Sequence, residues 1–374
     1  MPSAGESLIE ALRPTLLGLL RAVPGEPAAF STALEPVARR NDAGVWKGLV
    51  ACASQHGVLG VIDRPLTAEA LPADVREDTE RRLVVDQLWQ EHMVNGLLEA
   101  VGTLANAGVK TCAMKGPVLA ARLYPPAAIR HCLDLDLLVQ PDDFDRAVAA
   151  FSASGYRTLA TGTSAAYMRL HSHHLGFSRP SAAPVELHFR TYAGFGVVLP
   201  AGVLFDRAEP FQLTDTLTVL APSPEDEFIY LATHAAGHSF IRLVWLYDLK
   251  LLVRRYPSLD WDRIAHRAHA LGVATPVAYT TRLLGDWLGV STGTLSAHLR
   301  RRAVRTRIAD WLLPEVSRPQ PASMRDNFGG LIFTSLLCDR VGSGAWLLQH
   351  HILRSTKRRL KRAAPTYLPE NWSA

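Results

Sequence analysis

The sequence predicts an α+β protein. A small mixed-sheet α/β core, residues 96–215, lies between a helical N-terminal region, 1–95, and a helical C-terminal region, 216–374, that ends in a basic tail. Three observations predict this arrangement. Leu8, Leu12, Leu16, Leu17 and Leu20 recur at helical intervals, and helical patterning continues to about residue 90. Several brief β-prone runs then follow between 109 and 192. Beyond Pro222 and Pro224 helical spacing returns, with Pro314, Pro319 and Pro321 marking a later break.

Taken in order, "WKGLVACASQHGVLGVI" is a compact apolar helical segment, and 76–108 reads as one long helix closed by Gly108. "VKTCAMKG" at 109–116 is a short strand leading into a helix, "PVLAARLY". "CLDLDLLVQ" is the next strand, and Asp142 to Gly155 is an amphipathic helix with Phe144, Val148 and Phe151 on one side. "HSHHLGFSR" at 171–179 and "VELHFRTY" at 185–192, joined by the turn-rich "PSAAP", form a hairpin.

The 374 residues are 48% hydrophobic and 20% charged, ample material for a core. Cys52, Cys112, Cys132 and Cys338 are scattered, which argues against a disulfide framework and a cysteine zinc site and fits a cytoplasmic location. The N-terminus has no positive leader, and the most apolar short run, "LIFTSLLC" at 331–338, is too short to cross a membrane. The net charge of +5 comes from "RSTKRRLKR" at 354–362, with six positive charges; "RRRAVRTR" at 300–307 adds five arginines. Each is a solvated helix face or a surface for nucleic acid or anionic lipid. No aromatic residues interleave them, so nothing supports specific single-strand binding.

Chemistry concentrates in "MKGPVLAARLYPPAAIRHCLDLDLLV", 114–139. Residues two apart in a strand share a face, so Asp134 and Asp136 project together, with Leu133, Leu135 and Leu137 opposite. Two carboxylates this close repel, and a divalent cation such as magnesium removes the conflict. Glu186 in "PVELHFR" supplies a third acid, with His188 on its own face. The alternative is that the aspartates line an exposed edge or pair with Lys115 and Arg130. Lys115 and Gly116 open a helix, where backbone N–H groups and a lysine suit phosphate, and Arg130 falls within reach of the same ligand.

The succession "MKGPVLAARLY", "IRHCLDLDLLV", the helix ending "SGYR", "PVELHFR" and then "HAAGHSFIRLVWLYDLKLLV" at 235–253 resembles a bacterial nucleotidyltransferase family. That family is a divergent branch of the DNA-polymerase-β-like superfamily, often found in polysaccharide or peptide natural-product gene clusters. The resemblance covers about residues 95–255. It implies that Asp134 and Asp136 bind two catalytic magnesium ions, and that Glu186 completes the set and orients or deprotonates an acceptor hydroxyl. It also implies that Lys115 and Gly116 hold the triphosphate of an NTP donor. In that loop the superfamily has Gly-Ser where this chain has Lys-Gly before Pro117. The reaction implied is attack of a hydroxyl of a small molecule, sugar or peptide on the α-phosphorus; attack on a terminal phosphate would make a kinase instead.

His234, His238 and Arg242 are expected to line the cleft against nucleotide or acceptor, or to pack the helix interface. His188 aids the acid–base work or orients substrate. A zinc centre drawing on His171, His173, His174, His234, His238 and Asp248 is weighed and set aside, because no H-E-x-x-H and no cysteine ligand is present. Asp248 is expected to pair with a buried arginine, and Trp245 to be core. The competing functions are an inactive nucleotide-binding scaffold, an RNA-directed transferase, and a transferase at an anionic membrane surface.

Overall fold

The computed structural model describes residues 4–23, 25–40, 42–68, 71–125, 129–159, 172–215, 217–292, 295, 303–317, 324–345 and 347. His171, Arg300 to Arg302 and the basic segment Arg354 to Arg362 lie outside them.

Four helices open the chain: α1 (Ala4–Ala22), α2 (Pro27–Ala38), α3 (Ala43–Gln55) and α4 (Leu59–Ala68). The helical spacing of Leu12, Leu16, Leu19 and Leu20 puts all four inside. Asp42 caps α3 by accepting from the Gly44 amide at 2.7 Å. The long predicted helix is α5 (Ala73–Asn106), and Gly108, at φ +69°, ends it in the left-handed conformation that glycine adopts without penalty.

The core sheet follows the predicted order of elements, with β1 (Thr111–Ala113), α6 (Gly116–Leu123), β2 (Leu135–Val139), α7 (Phe144–Ala153), β3 (Arg157–Thr158), β4 (His174–Ser178) and β5 (Val185–His188). The predicted strand 185–192 is broken. The Phe189 and Arg190 amides both turn to the His173 carbonyl, and β6 (Arg190–Gly194) pairs with β7 (Val197–Pro200) in a separate ribbon. After α8 (Gly202–Phe205), β8 (Glu209–Thr214) and β9 (Leu217–Ala221) form a hairpin that the sequence reading did not foresee, and β9 joins β1. The strand order is β3-β4-β5-β2-β1-β9-β8, with β2–β5 and β1–β9 parallel. The mixed α+β class predicted from the sequence is the observed one.

Alternation along β2 divides two cores. Leu135, Leu137 and Val139 join α5 and α7 in one, whereas Leu138 faces the other. That second core unites the N-terminal helices with α9 (Pro224–Gly237), α10 (Leu243–Arg255), α11 (Trp261–Ala270) and α12 (Ala274–Leu288). Lys250 of α10 reaches across it and donates to the carbonyls of Leu20, Arg21 and Val23, each at 2.7 Å, satisfying the orphan carbonyls at the end of α1. Two further helices, α13 (Ala303–Val316) and α14 (Met324–Leu336), pack on each other. Arg305, one of the clustered arginines, donates to the Leu336 and Cys338 carbonyls. No helix among the described residues is long and apolar enough to cross a membrane.

Candidate functional site

A cavity of about 500 Å³ lies between the sheet face carrying Asp136 and the helices α9 and α10. Its walls include every site residue expected from the sequence: Lys115, Gly116, Arg130, Asp134, Asp136, Glu186, His188, His234 and Arg242.

The parallel pairing of β2 with β5 sets Asp136 directly against Glu186, so two acids from chain segments fifty residues apart share one sheet face. Asp134 stands in the bend before β2, half-buried, because the strand begins only at Leu135, whose amide bonds the Pro184 carbonyl at 2.9 Å. Leu133, expected opposite the aspartates in the strand, instead lies outside it and is 56% exposed. Its neighbour Cys132 is held to α5 by the Trp89 indole N–H at 2.7 Å. Gly116 enters α6 at φ +59°, a conformation that costs other residues strain, and a Cβ there would meet the Asp134 carbonyl at 3.5 Å.

The charges are strongly coupled. Lys115 Nζ lies 2.9 Å from Asp136 Oδ1, and His188 Nε2 lies 3.1 Å from the same oxygen. Burial alone would raise the Asp136 carboxyl, but Lys115 and His188 outweigh it and hold the group ionised, far below the usual carboxylate range. Lys115 is likewise pulled above the ordinary lysine value by Asp136, against the effect of burial. Among the described residues Asp134 has no such ion pair, and burial first, then Asp136, push it up to about 6. His188 also reaches Glu186 Oε2 at 3.5 Å, and His174 Nε2 reaches Glu186 Oε1 at 3.5 Å. Of the pairings weighed for the aspartates, that of Lys115 with Asp136 is therefore present.

Arg130 lines the cavity, yet its Nε and Nη2 donate to the two oxygens of Asp248 at 2.8 and 2.7 Å, and Tyr124 Oη donates to Asp248 at 2.6 Å. Asp248 is thus the partner of a buried arginine, as expected. Arg242 lines the same cavity, its guanidinium lying against Gly57, within reach of the Asp134 charge and with no ion pair among the described residues. At the end of α9 the rings of His234 and of the capping His238 are 4.6 Å apart, and Trp245 lies 5.0 Å from the first and 5.2 Å from the second. Burial, then Lys115, depress both imidazoles, His238 to about 4, so they are neutral at pH 7.

Sequence reasoning missed Tyr230, Tyr192 and the wall role of Trp245. Tyr230 stands one helical turn before His234, a spacing that would have marked it. Tyr192 packs under α9 so closely that a Cβ on Gly237 would sit 2.0 Å from its hydroxyl, which is why that position is glycine.

Two groups in this cavity have donor atoms mutually close enough to share a metal ion: Asp136 with Glu186 and His188, and His173 with His174 and His188. The carboxylate oxygens of the first suit a hard divalent cation. Asp134 stands beside that group on the same wall rather than within it.

A mixed sheet that brings carboxylates from adjacent parallel strands together beside a lysine at a helix start offers places for a cation and an anion close to one another. The chain belongs to a family described as uncharacterised nucleotidyltransferases, whose model matches residues 42–289, and it is accordingly a transferase. A search of curated proteins gives no match.

Proposed function

We propose that the protein transfers a nucleoside monophosphate from an NTP to a hydroxyl of a small molecule, sugar or modified peptide. The observation carrying this reading is the register of Asp136 against Glu186, with Lys115 on Asp136, in a cavity of about 500 Å³. Pockets of roughly 300–1,000 Å³ accommodate ligands of nucleotide size.

In this reading Asp136 and Glu186 would hold magnesium with Asp134 beside them turning in to join, and the bound ion would neutralise phosphate charge and polarise the reacting oxygens. Asp136 is ionised before any ligand arrives, because Lys115 and His188 keep it so. Lys115 and Gly116 grip the triphosphate, with the lysine charge standing where a serine hydroxyl would serve in the wider superfamily. Arg242, at the start of α10 and with no ion pair among the described residues, offsets phosphate charge from that side. Arg130 acts through position, its guanidinium locked on Asp248 so that the segment entering β2 keeps its course. Glu186, with a side chain 31% exposed, orients the acceptor hydroxyl, and His188 holds Glu186 in place. His234 and Tyr230 form the wall against the base or the acceptor. Preorganised charges of this kind commonly supply the largest share of catalysis.

The test is calorimetric titration of each nucleoside triphosphate, with and without magnesium, into wild type and Asp136→Asn. Magnesium-dependent binding that weakens at least about a hundredfold in the variant is expected; no binding of any triphosphate by folded wild type would overturn the reading. The closed contact of Lys115 and His188 with Asp136 favours a second reading, an inactive nucleotide-binding scaffold. Tight binding without pyrophosphate release against any hydroxyl acceptor would select it.

A further inference from the structure

The cavity wall carries a second donor set that shares His188 with the acidic group and adds two histidines the proposed nucleotide transfer does not use. In the antiparallel β4–β5 pair His174 lies directly opposite His188, on the sheet face that also carries Glu186 and Asp136. His173 precedes β4; its ring centroid is 4.5 Å from that of His174, at right angles, and 5.4 Å from that of His188. The His174 and His188 rings are 5.0 Å apart. A ligand atom from each of the three lies within 4.8 Å of the other two.

The hydrogen bonding of these rings is asymmetric. Glu186 and Asp136 face Nε2 of His188, and Glu186 faces Nε2 of His174. On both rings the opposite nitrogen, Nδ1, is buried without a hydrogen-bond partner among the described residues. An imidazole whose Nε2–H is held by a carboxylate coordinates a metal through Nδ1, the ion displacing whatever proton that nitrogen carries. This is the arrangement in which carboxylates orient histidines that bind metal. Leaving a buried polar atom unpaired is costly, and here two occur on neighbouring rings.

We propose that His173, His174 and His188 bind a late first-row divalent ion of the zinc class. Nitrogen donors select zinc, cobalt, nickel or copper over magnesium, which prefers oxygen. The absence of H-E-x-x-H and of cysteine ligands does not bear on this set, because its members come from two paired strands and the residue leading into one of them rather than from one helix. The site goes beyond the transferase reading; if that reading holds, the ion sits on the acceptor half of the cavity. In the strand order β4-β5-β2-β1 the histidines lie on the side away from β1 and the Lys115–Gly116 turn.

The probe is cobalt(II), titrated into the full chain after chelator treatment and followed by its visible absorption. The expected result is one equivalent bound with the intense bands of a low-coordinate site, displaced by one equivalent of zinc. Affinity falls at least about tenfold in His173→Gln and in His173→Asn, and is unchanged in Asp134→Asn. Far-UV circular dichroism of each variant confirms the fold. Failure of folded wild type to take up stoichiometric cobalt overturns the proposal, as does binding lost in Asp134→Asn but kept in both His173 variants. Triphosphate binding is read separately, so its loss with cobalt retained counts against the transferase reading alone.

Discussion

Buried charge is handled in two ways on opposite walls of one cavity. On the helix side Arg130 and Asp248, 4% and 0% exposed in their side chains, meet through two hydrogen bonds, and Tyr124 adds a third. On the sheet side Asp136 is as deeply buried, but its partners are a lysine and a histidine that also line the cavity, and the imidazoles of His174 and His188 keep nitrogens unpaired among the described residues. The first arrangement leaves little for a ligand to take. The second holds charge ready for one, at the cost of unsatisfied polar atoms. The contrast separates scaffold from site without reference to any relative.

Three measurements would break or sharpen that contrast. The largest effect is expected from Asp248→Ala, which strands the Arg130 guanidinium in the interior. Loss of about 3–5 kcal/mol in urea unfolding is the usual consequence of removing one partner of a buried pair. Asp136→Asn, by comparison, should change triphosphate binding far more than stability.

Next is His56, 1% exposed at the end of α3, with its Nδ1 unpaired among the described residues. Burial, then Arg13, depress it to about 3, below the ordinary value of 6.5. A depressed folded pKa gives stability that is present above pH 6.5 and lost as pH falls from there toward 3. The slope is at most about 1.4 kcal/mol per pH unit. His56→Gln should flatten that dependence, read as the difference in unfolding midpoints between wild type and variant from neutral to mildly acid pH. An unchanged slope would refute the assignment.

The smallest effect is expected at the exposed pair Lys47–Asp74, 2.7 Å apart and with both side chains more than half exposed. Solvent and salt screen such a pair, so Asp74→Ala should leave the thermal midpoint nearly where it was. A large shift would show that contact distance outranks burial in this protein.

The elements with strong local signals were legible in the sequence. The long helix 76–108 is α5 at Ala73–Asn106, the Lys115–Gly116 turn opens α6, and "DLLV" lies in β2. Alternation predicted that Asp136 opposes Leu135 and Leu137, and the two cores agree. Partner choice across the chain was not legible. Nothing in "VELH" says that it pairs parallel to β2, and only that pairing sets Glu186 against Asp136. Arg130, read from its position as a ligand contact, finds Asp248 118 residues away. The β8–β9 hairpin escaped notice because "EPFQLT" and "LTVLA" are short, half-exposed strands with weak alternation. The histidines were read for helical metal motifs, whereas His174 and His188 meet only through strand register.

The lysine that closes α1 bears on how the molecule is made. Leu20 and Val23 lie 230 and 227 residues before Lys250, and the apolar partners of α1 in α12 come later still. A growing chain therefore exposes its first leucine-rich helix long before the segment that finishes it has been translated. Contacts of such long range slow folding and leave apolar surface open meanwhile. The N-terminal helices should thus be the stretch of this protein that most needs sheltering during synthesis, and the docking of α10 the event that ends the need.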